Sequence, residues 1–477
     1  MSELPLHYMT LSHLAHLMKK GSLSPVELIN HCLKRIDSLD NKLNSFCLVC
    51  PERAATAAKM AEMAFQGGLD LGPLHGIPYA VKDLYDVKGL ATTAGTRLLR
   101  GNIASADSTA IRKLTGTGMV MVGKTKTVQF AFGGAGINHD QGTPHNPWQK
   151  THYLPGGSSS GSGVAVAAGM VPAALGTDTG GSVRIPASLC GIVGLKTTMG
   201  RISRFGVYPL SWSLDTVGVM ARSVEDVALI YQALQGPDQD DKDTLEHPPH
   251  DVVRSLKDGV KGLRVAFAES VFWDNVEPEI ANAVRDCGTV FEKLGANVDS
   301  ILFPEAEEAR TIYARGMVIA AEGYVVNREW LERCYNELDP IVALRMIKGK
   351  DIPAMEYLQN TRSWKVLRAK ANDSLKEVDV LIVPATVIPA LPVTEVEEKM
   401  EVYFARNATY VQNTCLGNIL DFCGLVLPCG FTSNGLPIGL MIYGKPFQES
   451  LILRVGYAFE QSTDWHKVFP DLSWAEE

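Results

Sequence analysis

The sequence predicts an α/β fold, and two features carry that expectation. Short apolar runs that end on charged residues alternate with segments of helical periodicity, and glycine-rich turns stand between them. The chain is also long enough, with 477 residues of which 46% are hydrophobic, to bury one large core or two moderate ones.

Residues 10–39 read as helix in two pieces. Leu11, Leu14, Leu17 and Met18 share a face, Gly21 interrupts, and Ser24-Pro25-x-Glu27 opens a second helix with a capping serine and a proline at its first position. Val26, Ile29, Leu33 and Ile36 form the apolar stripe of that helix. An alanine-rich helix over 52–66 follows. LHGIPYAVKD (74–83) then gives a short strand ending at Lys82, and GMVMVGKT (118–125) another ending at Lys124, with ADSTAIRKLTGTG as the helix between them. A glycine-serine loop occupies 154–163, a small-residue helix 164–170, and a second glycine-containing turn at 176–190 feeds a further helix.

Residues 231–260 are polar, acidic and proline-containing and read as a surface connection. A strand restarts at 263–270, a helix covers 278–294, and a long, mainly helical region runs to 376. The strands VDVLIVPAT (378–386), GLVLPCGF (424–431) and LPIGLMIYG (436–444) precede a last helix through Leu451, Val455 and Phe459.

Charge and cysteine usage narrow the function classes. The formal net charge of -8 offers no basic surface for a phosphate backbone, so nucleic-acid binding is not expected. Nine cysteines form no repeating framework, and the one C-x-x-C, Cys47 and Cys50, lacks the second pair a four-ligand zinc site needs. Reduced thiols and a cytoplasmic location are the expectation. The opening MSELPLHYMTLSHL has no basic segment before an unbroken apolar core, so secretion is not indicated. The low-charge stretch from Gly161 to Gly176 contains Pro172 and reads as an internal helix, turn and strand rather than a membrane span.

Three motifs compete for the chemistry. Gly118, Gly123, Lys124 and Thr125 satisfy the phosphate-loop pattern G-x-x-x-x-G-K-T, but the four variable positions are Met, Val, Met and Val, which suit a buried strand rather than a cradle of inward-turned N–H groups. GSSSG (157–161) fits a nucleophile elbow centred on Ser159, yet a loop precedes it instead of an apolar strand, and the only later histidines are His247, His250 and His466. His247-Pro-Pro-His250 reads as solvated connector rather than as a metal site. The third is a pair of loops, PGGSSSGSG (155–163) and GTDTGGSVRIP (176–186), taken with Lys82. Thr179-Gly180-Gly181-Ser182 sets a hydroxyl after two residues without Cβ, where consecutive N–H groups can curl into an oxyanion nest.

The spans 74–96 and 155–228 resemble the amidase signature family, and so do SPVELINHCLKRID (24–37), FAFGG with GTPHNPW (130–134, 142–148), 425–444 and WHKVFPDL (465–472). Only 240–375 is weakly marked. The resemblance implies a large mixed twisted β-sheet covered by helices on both faces. It implies one unit over 1–477: an N-terminal helical region (1–66), the catalytic signature core (67–230), a polar connector with a more variable, mainly helical substrate-side region (231–376), and a return to the core (377–477).

It also implies a Ser–cis-Ser–Lys triad. Ser182 is then the nucleophile, Ser158 the bridging hydroxyl reached through a cis peptide after Gly157, and Lys82 the base, with the amides of Thr179, Gly180 and Gly181 as the oxyanion hole. Lysine takes a proton only as the neutral amine, and burial beside Ile77 and Val81 would favour that form. Asp83 adjoins Lys82 and is expected to point elsewhere, since a carboxylate near the amine would keep it charged. In supporting roles, Ser159 hydrogen-bonds within its loop, and Asp178 pairs with Arg184 across the turn. Phe130, Phe132, Gly133, Gly134 and Trp212, with part of 310–376, are the expected pocket wall.

The implied activity is hydrolysis of a small neutral carboxylic amide through an acyl-serine, with carbamate, urea and ester bonds open to the same chemistry. No cofactor or metal is implied, and the partner is a small-molecule amide or carbamate, with a homodimer allowed for and neither nucleic acid nor membrane bound directly. Two alternatives stand beside this: the glutamine-hydrolysing component of a transfer-RNA amidotransferase, and a catalytically degenerate scaffold. Against the first, such components carry an acidic residue shortly before a Thr-x-x-x-Asn element, whereas RNATYVQN (406–413) before Thr414 and Asn418 has none. Against the second, all three triad positions are filled.

Overall fold

A computed structural model describes residues 4–476, so residues 1–3 and 477, the ends of the span read as one unit, lie outside it. Eleven strands form one mixed sheet: β1 (Phe46–Val49), β2 (Pro78–Lys82), β3 (Val120–Thr125), β4 (Ala173–Asp178), β5 (Val193–Lys196), β6 (Thr216–Ala221), β7 (Arg264–Ala268), β8 (Asn297–Ile301), β9 (Val380–Pro384), β10 (Cys423–Phe431) and β11 (Pro437–Gly444). Their order across the sheet is β1-β3-β2-β4-β6-β5-β10-β11-β9-β7-β8.

Helices cover both faces because the central strands are apolar on both. Successive side chains of a strand point to opposite faces. Val120 and Val122 therefore enter one core while Met119 and Met121 enter the other, and Ala80 faces away from Tyr79 and Val81. Helices Pro25–Leu43, Ser160–Ala167 and Met317–Arg333 pack on the first face, and Leu11–Lys19, Val224–Leu234, Pro278–Lys293 and Glu449–Gln461 on the second. The capping box is formed: Ser24 Oγ accepts from the Glu27 amide at 3.0 Å, and a Glu27 carboxylate oxygen accepts from the Ser24 amide at 2.8 Å.

Three sequence expectations change. Residues 231–234 are not surface connector but the end of helix Val224–Leu234, with Tyr231 and Leu234 buried; the polar connection begins after them. β8 lies inside the stretch read as mainly helical, and β1, β5 and β6 fall where no strand was expected. As its apolar positions suggest, GMVMVGKT supplies a buried strand, β3 over its residues 120–125, and Lys124 pairs with Asp83 at 2.5 Å. All nine cysteines are free thiols. Among the described residues no helix is long and apolar enough to cross a membrane.

Candidate active site

β2 and β4 are parallel neighbours, with Val81 opposite Leu175, so their carboxyl ends bring Lys82 and the turn after Asp178 to the same edge of the sheet. Crevices outside the carboxyl ends of parallel strands are where α/β folds place their chemistry. The loop before helix Ser160–Ala167 completes the site, and the Gly157–Ser158 peptide in it is cis. A hydrogen bond from the Ser159 amide to the Ser182 carbonyl, 3.1 Å, ties this loop to the nucleophile turn.

Lys82 is fully buried, and its Nζ donates to Ser158 Oγ and to Thr177 Oγ1, each at 2.8 Å. Burial lowers its pKa to about 7, against the opposing pull of the Asp215 and Asp178 carboxylates. The burial does not come from Ile77 and Val81, as the sequence suggested: both belong to the opposite core, and Lys82 shares its face with Ala80. Asp83 points away from the amine and is taken by Lys124 and by the amide of Thr93.

The Ser182 turn is built around one carboxylate. Asp178 and Arg184 are both fully buried, with contacts of 2.9 Å (Nη2 to Oδ1) and 3.1 Å (Nε to Oδ2). Asp178 also accepts from the amides of Gly181 (2.8 Å) and Val183 (3.1 Å) and from Asn418 Nδ2 (2.9 Å). Arg184 reaches Tyr443 Oη and Asn418 Oδ1, each at 2.7 Å. Despite burial, the guanidinium holds the Asp178 carboxyl well below the usual carboxylate range. Gly181 has φ +128, and a Cβ there would lie 2.1 Å from Thr414 Oγ1, so only glycine fits.

This network bears on one of the amides expected in the oxyanion hole. The Gly181 N–H is committed to Asp178. Thr179 is fixed by its own hydroxyl, which donates to Asp215 Oδ1 at 2.6 Å. Ser159 does not bond within its loop either: its Oγ donates to the Thr177 carbonyl and accepts from the Thr177 amide, both at 3.3 Å, and so steadies the threonine that holds Lys82.

A crevice at Ser182 is lined by Phe132, Gly133, Gly134, Thr179, Gly180 and Tyr313, and shares Phe132, Tyr313, Ile319, Arg345, Asn407 and Val411 with an adjoining cavity of about 670 Å³. Phe132, Gly133 and Gly134 thus stand where the sequence put them, but Phe130 and Trp212 do not. Phe130 is fully buried and stacks on Tyr208, 6.1 Å between centroids. Trp212 is 44% exposed and lines a different cavity of about 340 Å³, with Thr177 and Asp215.

The expectation of a neutral pocket also changes. Arg310, Arg315, Arg345 and Lys348 line the larger cavity, and among the described residues no aspartate or glutamate does. Arg345 lies 3.8 Å over the Phe132 ring and spends one N–H on the Phe132 carbonyl, 2.7 Å, with no carboxylate at ion-pair distance among the described residues. Burial pulls its pKa down. Thr177, Asp215, Tyr443 and Arg345 went unnoticed in the sequence, and Asn418 entered it only as the end of the Thr-x-x-x-Asn element. Thr177, Asp215 and Tyr443 sit inside the family-like spans 155–228 and 425–444 and were open to discovery there; Arg345 lies in the weakly marked region.

Comparison with known proteins agrees over nearly the whole chain. A family model described as Amidase matches residues 27–453. The chain is 36% identical to the 2-amino-5-chloromuconic acid deaminase of Comamonas testosteroni, over 95% of this chain and 96% of that one. It is 35% identical to the A component of the glutamyl-tRNA(Gln) amidotransferase of Chloroflexus aggregans, over 98% and 99%. A solved structure from work on a vestigial protein complex and the origins of an s-triazine catabolic enzyme superposes with TM-score 0.89 at 32% identity, over 95% and 98% of the two chains.

Proposed function

The chain belongs to the amidase family, and on that premise we propose that it hydrolyses a small amide bearing a carboxylate, through an acyl-serine on Ser182. The observation that supports the chemistry is the buried Lys82 amine 2.8 Å from Ser158 Oγ, beside the Ser182 turn. A serine hydroxyl attacks an amide only if its proton is removed as the C–O bond forms. Ser182 passes that proton to Ser158, which passes its own to the neutral Lys82. The amides of Thr179, Gly180 and Ser182 receive the developing oxyanion, a term usually worth several kcal/mol. The proton returns along the same relay to the leaving nitrogen, and water then cleaves the acyl-enzyme.

The substrate class rests on Arg345. A partly buried guanidinium without a counter-charge is costly, and a carboxylate in the pocket would offset that cost. Arginine presents five N–H donors in a fixed fork, of which the Phe132 carbonyl takes one. The deaminase among the relatives has an acid in its name, which accords with this reading.

A second reading, glutamine hydrolysis within an amidotransferase, is favoured by the 35% identity to the A component of such an enzyme. The lining gives no carboxylate to meet the α-ammonium of glutamine, which weighs against it. Succinamate, butyramide and glutamine separate the possibilities. We expect succinamate to be the best of the three and Arg345→Met to raise its KM by about 10- to 100-fold, the worth of a charged hydrogen bond. Butyramide cleaved as fast as succinamate would remove the carboxylate claim, and preference for glutamine would favour the second reading.

A further inference from the structure

We propose that Glu322 is a positioning residue for the reaction, one that locks the substrate-side helices to the turn carrying the oxyanion amides. The proposal rests on Ser182 being the nucleophile, as argued above.

Glu322 lies on helix Met317–Arg333 and is fully buried. Among the described residues it has no ion-pair partner. Four donors satisfy it: Ser211 Oγ (2.5 Å) and the Ser213 amide (3.1 Å) on Oε2, Ser213 Oγ (2.5 Å) and Tyr357 Oη (2.7 Å) on Oε1. A carboxyl group buried among hydroxyls and no cation contributes little net stability, and an apolar side chain would fill the same space more cheaply. What the carboxylate gives is geometry, because it fixes three separate segments at one point.

The first of these is the loop 210–215. Its Leu210 and Ser211 amides donate to Asp215 Oδ2 at 2.8 and 2.9 Å, and the other oxygen of Asp215 receives the Thr179 hydroxyl at 2.6 Å. Thr179 is three residues before Ser182, and Leu210 itself lines the crevice at Ser182. The second is the helix of Glu322, whose Met317, Ile319 and Ala320 line the substrate cavity. The third is helix Ala354–Ser374, through Tyr357. A second bond, from Tyr208 Oη to Asn327 Oδ1 at 2.9 Å, docks the same helix on the same stretch of chain. Two polar bridges therefore join the wall that holds the substrate to the turn that holds its oxyanion. Supporting shells of this kind decide whether reacting groups sit within a fraction of an ångström of the productive position.

In Glu322→Gln the NH2 that replaces one acceptor oxygen turns toward the Ser213 and Tyr357 hydroxyls, which must then reverse to accept from it and lose the acceptor they share. The loop should shift and carry Asp215 and Thr179 with it. The test is the rate at which a fluorophosphonate probe phosphonylates Ser182, with the adduct located by peptide mass measurement. We expect the rate constant to fall by about 10²-fold, in the range of losing one oxyanion donor, while the endpoint stays near one adduct per chain. For succinamate, kcat should fall and KM hold, since Arg345 is untouched. A merely structural role would lower the labelled fraction and leave its rate constant unchanged. Ser211→Ala, a milder change, should move the rate constant in the same direction by several-fold, and Glu329→Gln on the exposed face of the same helix should not. Wild-type rate constants in both Glu322→Gln and Ser211→Ala would overturn the proposal. A wild-type enzyme that takes no adduct at Ser182 would instead overturn the nucleophile assignment, and this inference with it.

Discussion

Lys82 acts as a base only while uncharged, and its surroundings set the pH at which that holds. With the pKa lowered to about 7, kcat/KM should rise about tenfold per pH unit below neutrality and level off above it, because deprotonation activates the relay. A profile that climbed to pH 10 would mean an ordinary, solvated lysine. Lys82→Met should lower kcat by about 10²–10⁴, the usual span for losing a general base. Asp178 is a different case, since it shapes the turn and does not react. Asp178→Asn leaves Arg184 buried without a counter-charge and should cost about 3–5 kcal/mol in urea unfolding. Lys82, Ser158 and Ser182 could be picked out of the sequence because each stands in a stretch that resembles the amidase signature family. Arg345 could not, since what matters about it is the absence of an acidic neighbour, which only the folded pocket reveals. Phe130 and Trp212 misled for a related reason: an aromatic ring names no face, and one lies in the core and the other in a separate cavity.

At the scale of elements, β2 and β3 show how a motif is reassigned by its strand. The four apolar positions of GMVMVGKT feed both cores, and the lysine that a phosphate loop would extend toward a nucleotide closes on Asp83. Lys124→Met should therefore destabilise the fold by about 3–5 kcal/mol by stranding a buried carboxylate, and the added change Asp83→Asn should recover much of the loss. Equal stability of the single and double variants in urea would show that the pair is not coupled. The capping box is a smaller contribution: Ser24→Ala should cost about 1 kcal/mol. The long strands and capped helices were legible because they repeat a pattern over several residues. β1 and β5 have four residues each and β8 is an edge strand whose five positions are all at least partly exposed, so these carry no long apolar run, whereas β6 is buried throughout and went unnoticed.

The whole molecule is held by one sheet that draws strands from every region of the chain. β1 comes from the N-terminal part, β7 and β8 from the variable middle, and β10 and β11 from the end, yet all are joined edge to edge. We expect heat to unfold the protein in a single cooperative transition, and two separated calorimetric transitions would divide the chain where the sheet joins it. The same continuity lets segments far apart in sequence meet at the site: Lys82, Ser158, Ser182, Arg345 and Thr414 come from five stretches of chain. The central claim is that they meet to make Ser182 a nucleophile. The most direct measurement is peptide mass analysis of the protein after a fluorophosphonate probe, beside the Lys82→Met variant. One adduct on Ser182, formed at least 10²-fold more slowly without the lysine, is the predicted result. An adduct on another serine, or none on the folded protein, would contradict it.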